Sequence, residues 1–384
     1  MSNKTQIKDT LCVLPFSHLA THPAGQVTPC CESPLNAEND GVELNLNYNS
    51  IEEIRSCDSF TKLKQDMLNG IENKACEYCY SREKQGIESK RNRENRRWGL
   101  TEKTLDYFLK SPLIYTEMRL GNTCNLKCLI CNPWSSSKWN EDAEVAGYSK
   151  VTIDRSWFKN LKVYNDLSNH SNSLKHIWFN GGEPTLIKEH MQFLLKLVEK
   201  NKSKEITLEY HTNGTNLPPK LIELWQNFKQ IKLSFSVDDI EERLYYQRFP
   251  SKHDVVVKNI INIKNEGSIN TDIEIVPTVS LYNVYNLDRL YKFYQDEVSI
   301  RVNIINFLTY PSKLAIFNLP DQDKHMLLEK YSNVLPQSVL GELKYNFFKE
   351  QSQGLDKFIN FTKSLDNHRN ISILDYLPEY AEYF

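Results

Sequence analysis

Three cysteines within eight residues give the strongest chemical signal in the sequence: Cys124, Cys128 and Cys131, in the run CNLKCLIC. Three thiolates on one short loop can bind three irons of an iron–sulfur cube and leave the fourth iron without a protein ligand. An iron with an open position can take up a small molecule, as open catalytic metal sites do. The alternative interpretation is a structural zinc site that a distant residue completes.

Most of the other cysteines are clustered as well. They form two groups, Cys12 with Cys30 and Cys31, and Cys76 with Cys79. In a reducing compartment a disulfide framework is not expected, so clustered cysteines indicate metal ligands or nucleophiles. Cys57 stands apart inside a helical pattern, and we interpret it as a small packed residue.

The elements that must position these cysteines follow an alternating pattern. Six β-rich runs alternate with amphipathic helical runs, which predicts right-handed βαβ crossovers and a parallel sheet. The functional edge of such a sheet lies at the carboxyl ends of its strands, and the three-cysteine loop follows the first strand. Periodicity leaves open whether the sheet stays open or curls into a partial barrel. The predicted strands span residues 113–120, 176–180, 205–212, 231–237, 272–280 and 300–308.

The sequence divides into three segments. Residues 1–100 are irregular and rich in cysteine, apart from one helix that Ser50 and Glu53 start as a capping box and Gly70 ends. Residues 101–310 carry the alternating pattern. Residues 311–384 are rich in proline and aromatic residues, and we expect the aromatic side chains to pack on the barrel mouth or on the cysteine-rich segment.

Composition excludes several classes of protein. The chain has 384 residues, of which 40% are hydrophobic and 25% charged, so it can bury a core. Its net charge of −2 argues against a protein that coats nucleic acid by charge alone. No apolar run approaches the roughly 20 residues that cross a bilayer. The N-terminal run MSNKTQIKDT lacks the apolar stretch of a signal peptide, so we expect a cytoplasmic protein.

The CxxxCxxC loop after a first strand resembles that of the radical S-adenosylmethionine (SAM) superfamily. Further marks of that family follow in order over residues 113–308. Gly181, Gly182, Glu183 and Pro184 resemble the GGEP motif that meets the amino group of SAM, and Glu183 could orient that ammonium. The other residues that the resemblance implies as SAM contacts are Asn213, Ser236, Asp238, Arg248 and Val279. One departure is Ile130, since the family usually has an aromatic residue before the third cysteine.

The N-terminal cysteines resemble the auxiliary-cluster modules called SPASM or twitch, here placed before the barrel. The resemblance implies a second [4Fe-4S] cluster held by Cys12, Cys30, Cys76 and Cys79, with Cys31 in reserve. A structural zinc with the same four ligands is the alternative. His18 and His22 are possible ligands, although histidines in turns are more often polar residues with a hydrogen-bond partner.

The family resemblance implies a fold and a reaction. The fold is a partial (β/α)6 TIM-like barrel of the α/β class with the N-terminal module. The reaction is reductive cleavage of SAM to a 5′-deoxyadenosyl radical, which removes a hydrogen atom from a substrate carbon. The implied cofactors are SAM, its [4Fe-4S] cluster and the auxiliary cluster. The implied partners are a reductant such as flavodoxin or ferredoxin and a peptide or small-molecule substrate, with no membrane.

The substrate is the least determined part of this interpretation. A peptide or protein residue, changed by oxidation, crosslinking or epimerisation, is favoured slightly, and Cys57 is a speculative hydrogen donor for an epimerase. A nucleotide, modified base or sugar is the alternative, motivated by the run KRNRENRR at residues 90–97, which could contact phosphates or an acidic peptide. We favour a solvated helix face for that run. A non-catalytic metal-binding scaffold is the third possibility.

Overall fold

The computed structural model describes residues 7–152 and 155–384 and shows strands that alternate with helices. In chain order the strands are β1 (His18–Thr21), β2 (Val27–Thr28), β3 (Glu38–Asn39), β4 (Val42–Glu43), β5 (Tyr115–Arg119), β6 (His176–Asn180), β7 (Thr207–Thr212), β8 (Gln230–Phe235), β9 (Thr271–Ile275), β10 (Thr278–Val279), β11 (Arg301–Val302) and β12 (Asn306–Phe307).

The α-helices of the same residues vary from single turns to four turns. They are α1 (Leu14–Ser17), α2 (Ile51–Arg55), α3 (Asp58–Leu68), α4 (Glu77–Lys84), α5 (Lys90–Arg97), α6 (Leu105–Leu109), α7 (Leu161–Asn169), α8 (Glu189–Glu199), α9 (Pro219–Trp225), α10 (Glu241–Gln247), α11 (His253–Lys264), α12 (Leu287–Lys292), α13 (Asp321–Tyr331), α14 (Gln337–Phe348), α15 (Asp356–Arg369) and α16 (Ile373–Tyr376).

The chain forms two compact units, and each is discontinuous in sequence. Of the described residues, unit 1 contains 7–122, 155–210 and 220–231, and unit 2 contains 123–152, 211–219 and 232–384. The boundaries at residues 100 and 310 that the sequence suggests remain a prediction.

Unit 1 is built on a mostly parallel set of strands in the order β2-β1-β5-β6-β7. Tyr115 pairs with His18 on one side and His176 on the other, and only β2 runs antiparallel. The aromatic rings of these three residues follow one another across the strands, with centroids 4.3 and 4.9 Å apart. Such cross-strand contacts stabilise a sheet in a fixed register.

The cysteine-rich segment therefore contributes to the sheet of unit 1. It supplies β1 and β2, which the sequence pattern did not predict, and its apolar residues share one buried cluster with Phe108, Ile114 and Tyr115. The predicted capping box is confirmed, because Ser50 N donates to Glu53 Oε2 and Glu53 N donates to Ser50 Oγ. The helix it starts, however, breaks at residues 56–57, so α2 and α3 replace the single helix to Gly70.

Unit 2 contains the strand order β11-β9-β8 and a separate parallel pair of β10 with β12. The predicted strand 272–280 is interrupted at Val276 and Pro277, because proline has no N–H to give to a ladder. The predicted strand 300–308 is interrupted at residues 303–305. Their second halves form β10 and β12.

These findings confirm the expected α/β class with parallel strands, and the described strands do not close into a complete barrel. None of the helices in the described residues combines the length and the apolar character that a membrane crossing requires.

The buried His190 of α8 should make the stability of the protein depend on pH. Its Nε2 lies 3.1 Å from the Tyr210 hydroxyl, and burial lowers the pKa of His190 to about 4. Below pH 6.5 this imidazole is protonated in the unfolded chain but stays neutral in the folded protein, so protons favour the unfolded chain. The free energy of unfolding is therefore highest above pH 6.5 and decreases as the pH falls towards 4. We expect His190 to account for a decrease of about 2 kcal/mol in the free energy of unfolding between pH 6.5 and pH 4.5, measured by urea unfolding.

The matched variants are His190→Gln and His325→Gln, the second at an exposed position. His190→Gln should weaken the dependence of the unfolding free energy on pH, and His325→Gln should leave it unchanged. An unchanged dependence in His190→Gln would contradict the assignment.

Candidate functional site

The three-cysteine loop lies in an irregular segment of unit 2. Cys128 is buried, and Cys124 and Cys131 are half-buried. Burial raises the pKa of the Cys128 thiol far above its ordinary value, and the neighbouring Cys131 and Cys124 raise it further. Burial likewise raises the pKa of Cys131 to about 12, again with a contribution from Cys124. The three thiols therefore lie near one another in the loop.

The segment 247–249 holds the backbone of this loop. Lys127 N donates to Phe249 O at 2.7 Å, and Leu129 N donates to Gln247 O at 2.8 Å. From the other side, the Trp139 indole N–H donates to Cys128 O at 2.9 Å. An irregular loop keeps a fixed shape only when its backbone groups find such partners.

Asp142 is a fully buried carboxylate that ties the same loop to the C-terminal helix α15. Lys127 Nζ lies 2.9 Å from its Oδ1, and Arg369 Nε donates to its Oδ2 at 2.8 Å. Arg369 also donates from Nη2 to Lys127 O at 3.0 Å. Burial alone would raise the pKa of Asp142, but the bonds from Lys127 and Arg369 outweigh it and hold the pKa below its usual range.

Arg248 contacts the loop at a sulfur atom. Its Nη1 lies 3.8 Å from Cys128 Sγ, and its Nε lies 2.7 Å from Asp238 Oδ2. Asp238 is itself fixed, because Thr278 N donates to its Oδ1 at 2.8 Å. The structure pairs Arg248 with Asp238 and with a cysteine, and the contact of both residues with SAM that the resemblance implies remains a prediction.

The end of β7 is also bound to the loop. Asn213 Nδ2 donates to Asn125 Oδ1 at 3.0 Å, and Asn125 Nδ2 donates to Thr215 Oγ1 at 2.8 Å. Gly214 permits this close packing, since its φ is +72° and a Cβ there would lie 2.8 Å from the Phe235 ring. Ser236, half-buried, follows β8 and donates from its N to Thr212 O, and Val279 is fully buried in β10.

The GGEP segment lies in unit 1, directly after β6. Gly181 has a φ of +129°, and a Cβ there would come within 2.9 Å of Leu120 N, so the close backbone approach requires glycine. Glu183 is buried, and its Oε1 accepts from Thr185 N and Thr185 Oγ1 at 3.1 and 2.8 Å. That oxygen of Glu183 therefore caps the short turn that begins at Pro184.

The N-terminal cysteines share one pocket in unit 1. Its lining includes all four of the residues proposed as auxiliary ligands, Cys12, Cys30, Cys76 and Cys79, together with Lys90 and Arg91. Burial raises the pKa of Cys30 and of Cys76 to about 12. Cys31 is not part of the lining, and its Sγ lies 2.6 Å from Lys90 Nζ.

The two histidines of this segment lie outside the pocket lining. His18 Nδ1 lies 2.9 Å from Pro29 O, and burial lowers the pKa of His18 to about 3. His22 Nε2 lies 3.5 Å from Thr28 Oγ1. Their contacts support the interpretation as partnered polar residues.

The basic run 90–97 forms α5, and the expectation of a solvated face is wrong for three of its residues. Lys90, Arg91 and Glu94 are 7%, 8% and 4% exposed. Lys90 reaches Cys31 and lies 3.9 Å from Glu117 Oε2, while Arg91 pairs with Glu83. These side chains are bound within unit 1, because a buried cation requires a counter-charge or acceptor.

Cys57 precedes α3 and is 1% exposed. Its Sγ lies 3.3 Å from Ser59 Oγ. Both facts support the interpretation as a packed residue, and its role as a hydrogen donor remains a hypothesis.

Thiols, which both cysteine sets supply, are the ligands that iron–sulfur clusters take. In residues 7–152 and 155–384 no three His, Cys, Asp or Glu side chains converge on the position of one metal ion. The fit to iron–sulfur clusters thus rests on three thiols in one loop beside the Arg248 cation, and on four thiols around one pocket beside Lys90 and Arg91.

Comparison with known proteins gives a family match for the middle of the chain. Residues 118–286 match the family model described as the Radical SAM superfamily. No curated protein matches the chain.

Three solved structures show low sequence identity and limited structural similarity to this chain. The structure "Native anSMEcpe with bound AdoMet" is 20% identical, with a TM-score of 0.41 over 60% of this chain and 63% of that chain. SuiB of Streptococcus suis, bound to its precursor peptide SuiA, is 17% identical, with a TM-score of 0.39 over 67% and 58%. SuiB alone is 16% identical, with a TM-score of 0.37 over 96% and 77%. The chain thus spans less than two thirds of the length of the first two structures.

Removing the Arg369 side chain should loosen the three-cysteine loop. Arg369→Met leaves the buried Asp142 with fewer partners and leaves Lys127 O without its donor, which should cost about 3 kcal/mol of stability. Hydrogen exchange of residues 124–131 should accelerate, and the reconstituted protein should bind less iron. Lys357→Met, at an exposed position of the same helix, is the control. Equal exchange in both variants would contradict the role of Arg369.

Proposed function

We propose that the radical SAM domain of residues 118–286 cleaves SAM reductively on a [4Fe-4S] cluster whose ligands are Cys124, Cys128 and Cys131. The observation that carries the proposal is one short loop, held by the backbone of residues 247–249, that presents three cysteines within a segment that matches this family. When bound, the cluster and SAM supply an electron and a 5′-deoxyadenosyl radical that removes a hydrogen atom from the substrate. A flavodoxin or ferredoxin would supply the electron.

The surrounding residues divide into two roles in this proposal. In unit 2, Ser236 and Val279 would contact SAM, because a polar strand end and a buried apolar side chain suit its polar and aromatic parts. A contact of Gly181 and Gly182 with SAM remains an expectation from the family resemblance. Asn213, Asp238 and Arg248 would position the loop, since each is bound to the loop or to another of these residues. Glu183, with one carboxylate oxygen capping the turn, would fix the shape of the glycine segment.

We propose further that Cys12, Cys30, Cys76 and Cys79 hold an auxiliary [4Fe-4S] cluster that relays electrons. Four thiols around one pocket supply one ligand to each iron, which leaves no open iron for substrate. Lys90 and Arg91 bring positive charge to the same pocket, which suits an anionic cluster.

For the substrate we propose a peptide or protein residue. On β6 of unit 1, Asn180 Oδ1 is a buried oxygen with no hydrogen-bond partner among the described residues. On the neighbouring β5, Glu117 Oε2 lies 3.9 Å from Lys90 Nζ, beyond hydrogen-bond distance. Buried acceptors of this kind suit a substrate that brings N–H donors, as a peptide does. The alternative of a nucleotide or modified base loses part of its motivation, because α5 turns three of its charged residues inward.

The proposed activity predicts a defined product. After anaerobic reconstitution and reduction with dithionite, the protein should convert SAM to 5′-deoxyadenosine, quantified by liquid chromatography. Cys128→Ala should abolish this conversion because it removes one of three ligands, with a loss of at least a hundredfold. Ser135→Ala, at an exposed position after the loop, should retain it. An iron-loaded protein that yields no 5′-deoxyadenosine would instead support the non-catalytic scaffold.

The auxiliary cluster predicts an iron count. The reconstituted protein should hold about eight irons per chain, and Cys30→Ala should reduce this to about four. Cys31→Ala should keep about eight, because the Cys31 thiol contacts Lys90 and is outside the pocket lining. About four irons plus one zinc in the unmodified protein would favour the structural zinc site.

A further inference from the structure

We propose that Arg248 sets the reduction potential of the cluster held by the three-cysteine loop, through its contact with Cys128. This inference deepens the proposed function and rests on it. It concerns a residue that the sequence resemblance had placed against SAM.

The position of the guanidinium is defined by both of its contacts. Nη1 lies 3.8 Å from Cys128 Sγ, within hydrogen-bond reach of a sulfur acceptor, and Nε lies 2.7 Å from Asp238 Oδ2. Arg248 is 8% exposed and Asp238 is 2% exposed, so solvent screens neither charge. The guanidinium therefore lies between a carboxylate and a cluster ligand.

Several protein groups keep it there. Thr278 N donates to Asp238 Oδ1 at 2.8 Å, and Asn283 Nδ2 donates to the Asp238 carbonyl at 3.0 Å. The backbone on either side of Arg248 is bound to the cysteine loop, through Gln247 O and Phe249 O. The contact with the sulfur is thus built into the same short segment that fixes the loop.

The physical consequence follows from charge. Reduction adds one negative charge to an iron–sulfur cluster, and a nearby cation or an N–H donor to a ligand sulfur stabilises the reduced state. Arg248 provides both, while the negative charge of Asp238 acts in the opposite direction. The potential should therefore fall when Arg248 loses its charge and rise when Asp238 loses its charge.

The experiment is a redox titration followed by electron paramagnetic resonance of the reconstituted full chain, observing the signal that changes when SAM is added. At a fixed potential, Arg248→Met should lower the ratio of reduced to oxidised cluster at least tenfold, which corresponds to about 59 mV for one electron. Arg248→Lys should recover most of that loss, because it restores the charge.

Asp238→Asn is the second variant, and it should raise the same ratio threefold or more. These opposite signs distinguish an electrostatic role from a structural one, since mere loosening of the loop would lower iron content in both variants without shifting them in opposite directions. Arg289→Met, which removes a charge at an exposed ion pair with Glu241, is the control and should leave the ratio unchanged.

The outcomes separate the two proposals. An unmodified protein without a cluster signal that responds to SAM would overturn both the proposed function and this inference. A normal signal with the same potential in Arg248→Met, or a shift of equal sign in Arg248→Met and Asp238→Asn, would overturn this inference alone.

Discussion

The buried carboxylate of Asp142 is the constraint on which the cysteine loop depends. Eight residues that carry three cysteines have no regular secondary structure of their own, so their shape must come from partners outside the loop. Asp142 fixes the shape of the loop by binding Lys127 within the loop and Arg369 at the end of α15. A buried network of this kind contributes more to a unique geometry than to net stability, because desolvation of the charges offsets much of their attraction.

In unit 1 the buried charges are cations that lie beside thiols as well as carboxylates. Lys90 and Arg91 begin a helix that is strongly basic in sequence, yet both side chains lie inside the unit beside thiols and carboxylates. The separation of Cys30 from Cys31 follows from this arrangement, since one thiol lines the pocket and its neighbour binds Lys90. The contact with Lys90 thus places Cys31 in different surroundings from the adjacent Cys30.

The sequence predicted the fold class well, because strand and helix periodicity reports which faces of the elements are buried. It failed where the chain departs from periodicity, as at Pro277, which splits a predicted strand into β9 and β10. Spacing selected the three cysteines of the loop, and the resemblance to auxiliary-cluster modules selected the four that share the pocket. It did not reveal Asp142, Arg369 or Lys90, because a buried ion pair between residues distant in sequence leaves no local pattern in either partner. The roles of the proposed SAM contacts depend on the same kind of distant contact.

The separation of Asp142 and Arg369 by 227 residues has a consequence for the biogenesis of the protein. Translation proceeds at about 5–20 residues per second. The ribosome therefore completes the cysteine loop well before it adds Arg369, whose hydrogen bonds hold that loop. We infer that for at least about ten seconds the nascent chain carries its three thiols in a loop that lacks the contact between Arg369 and Asp142. Under the proposed function, iron and sulfide would therefore reach a fully held loop only after synthesis of α15.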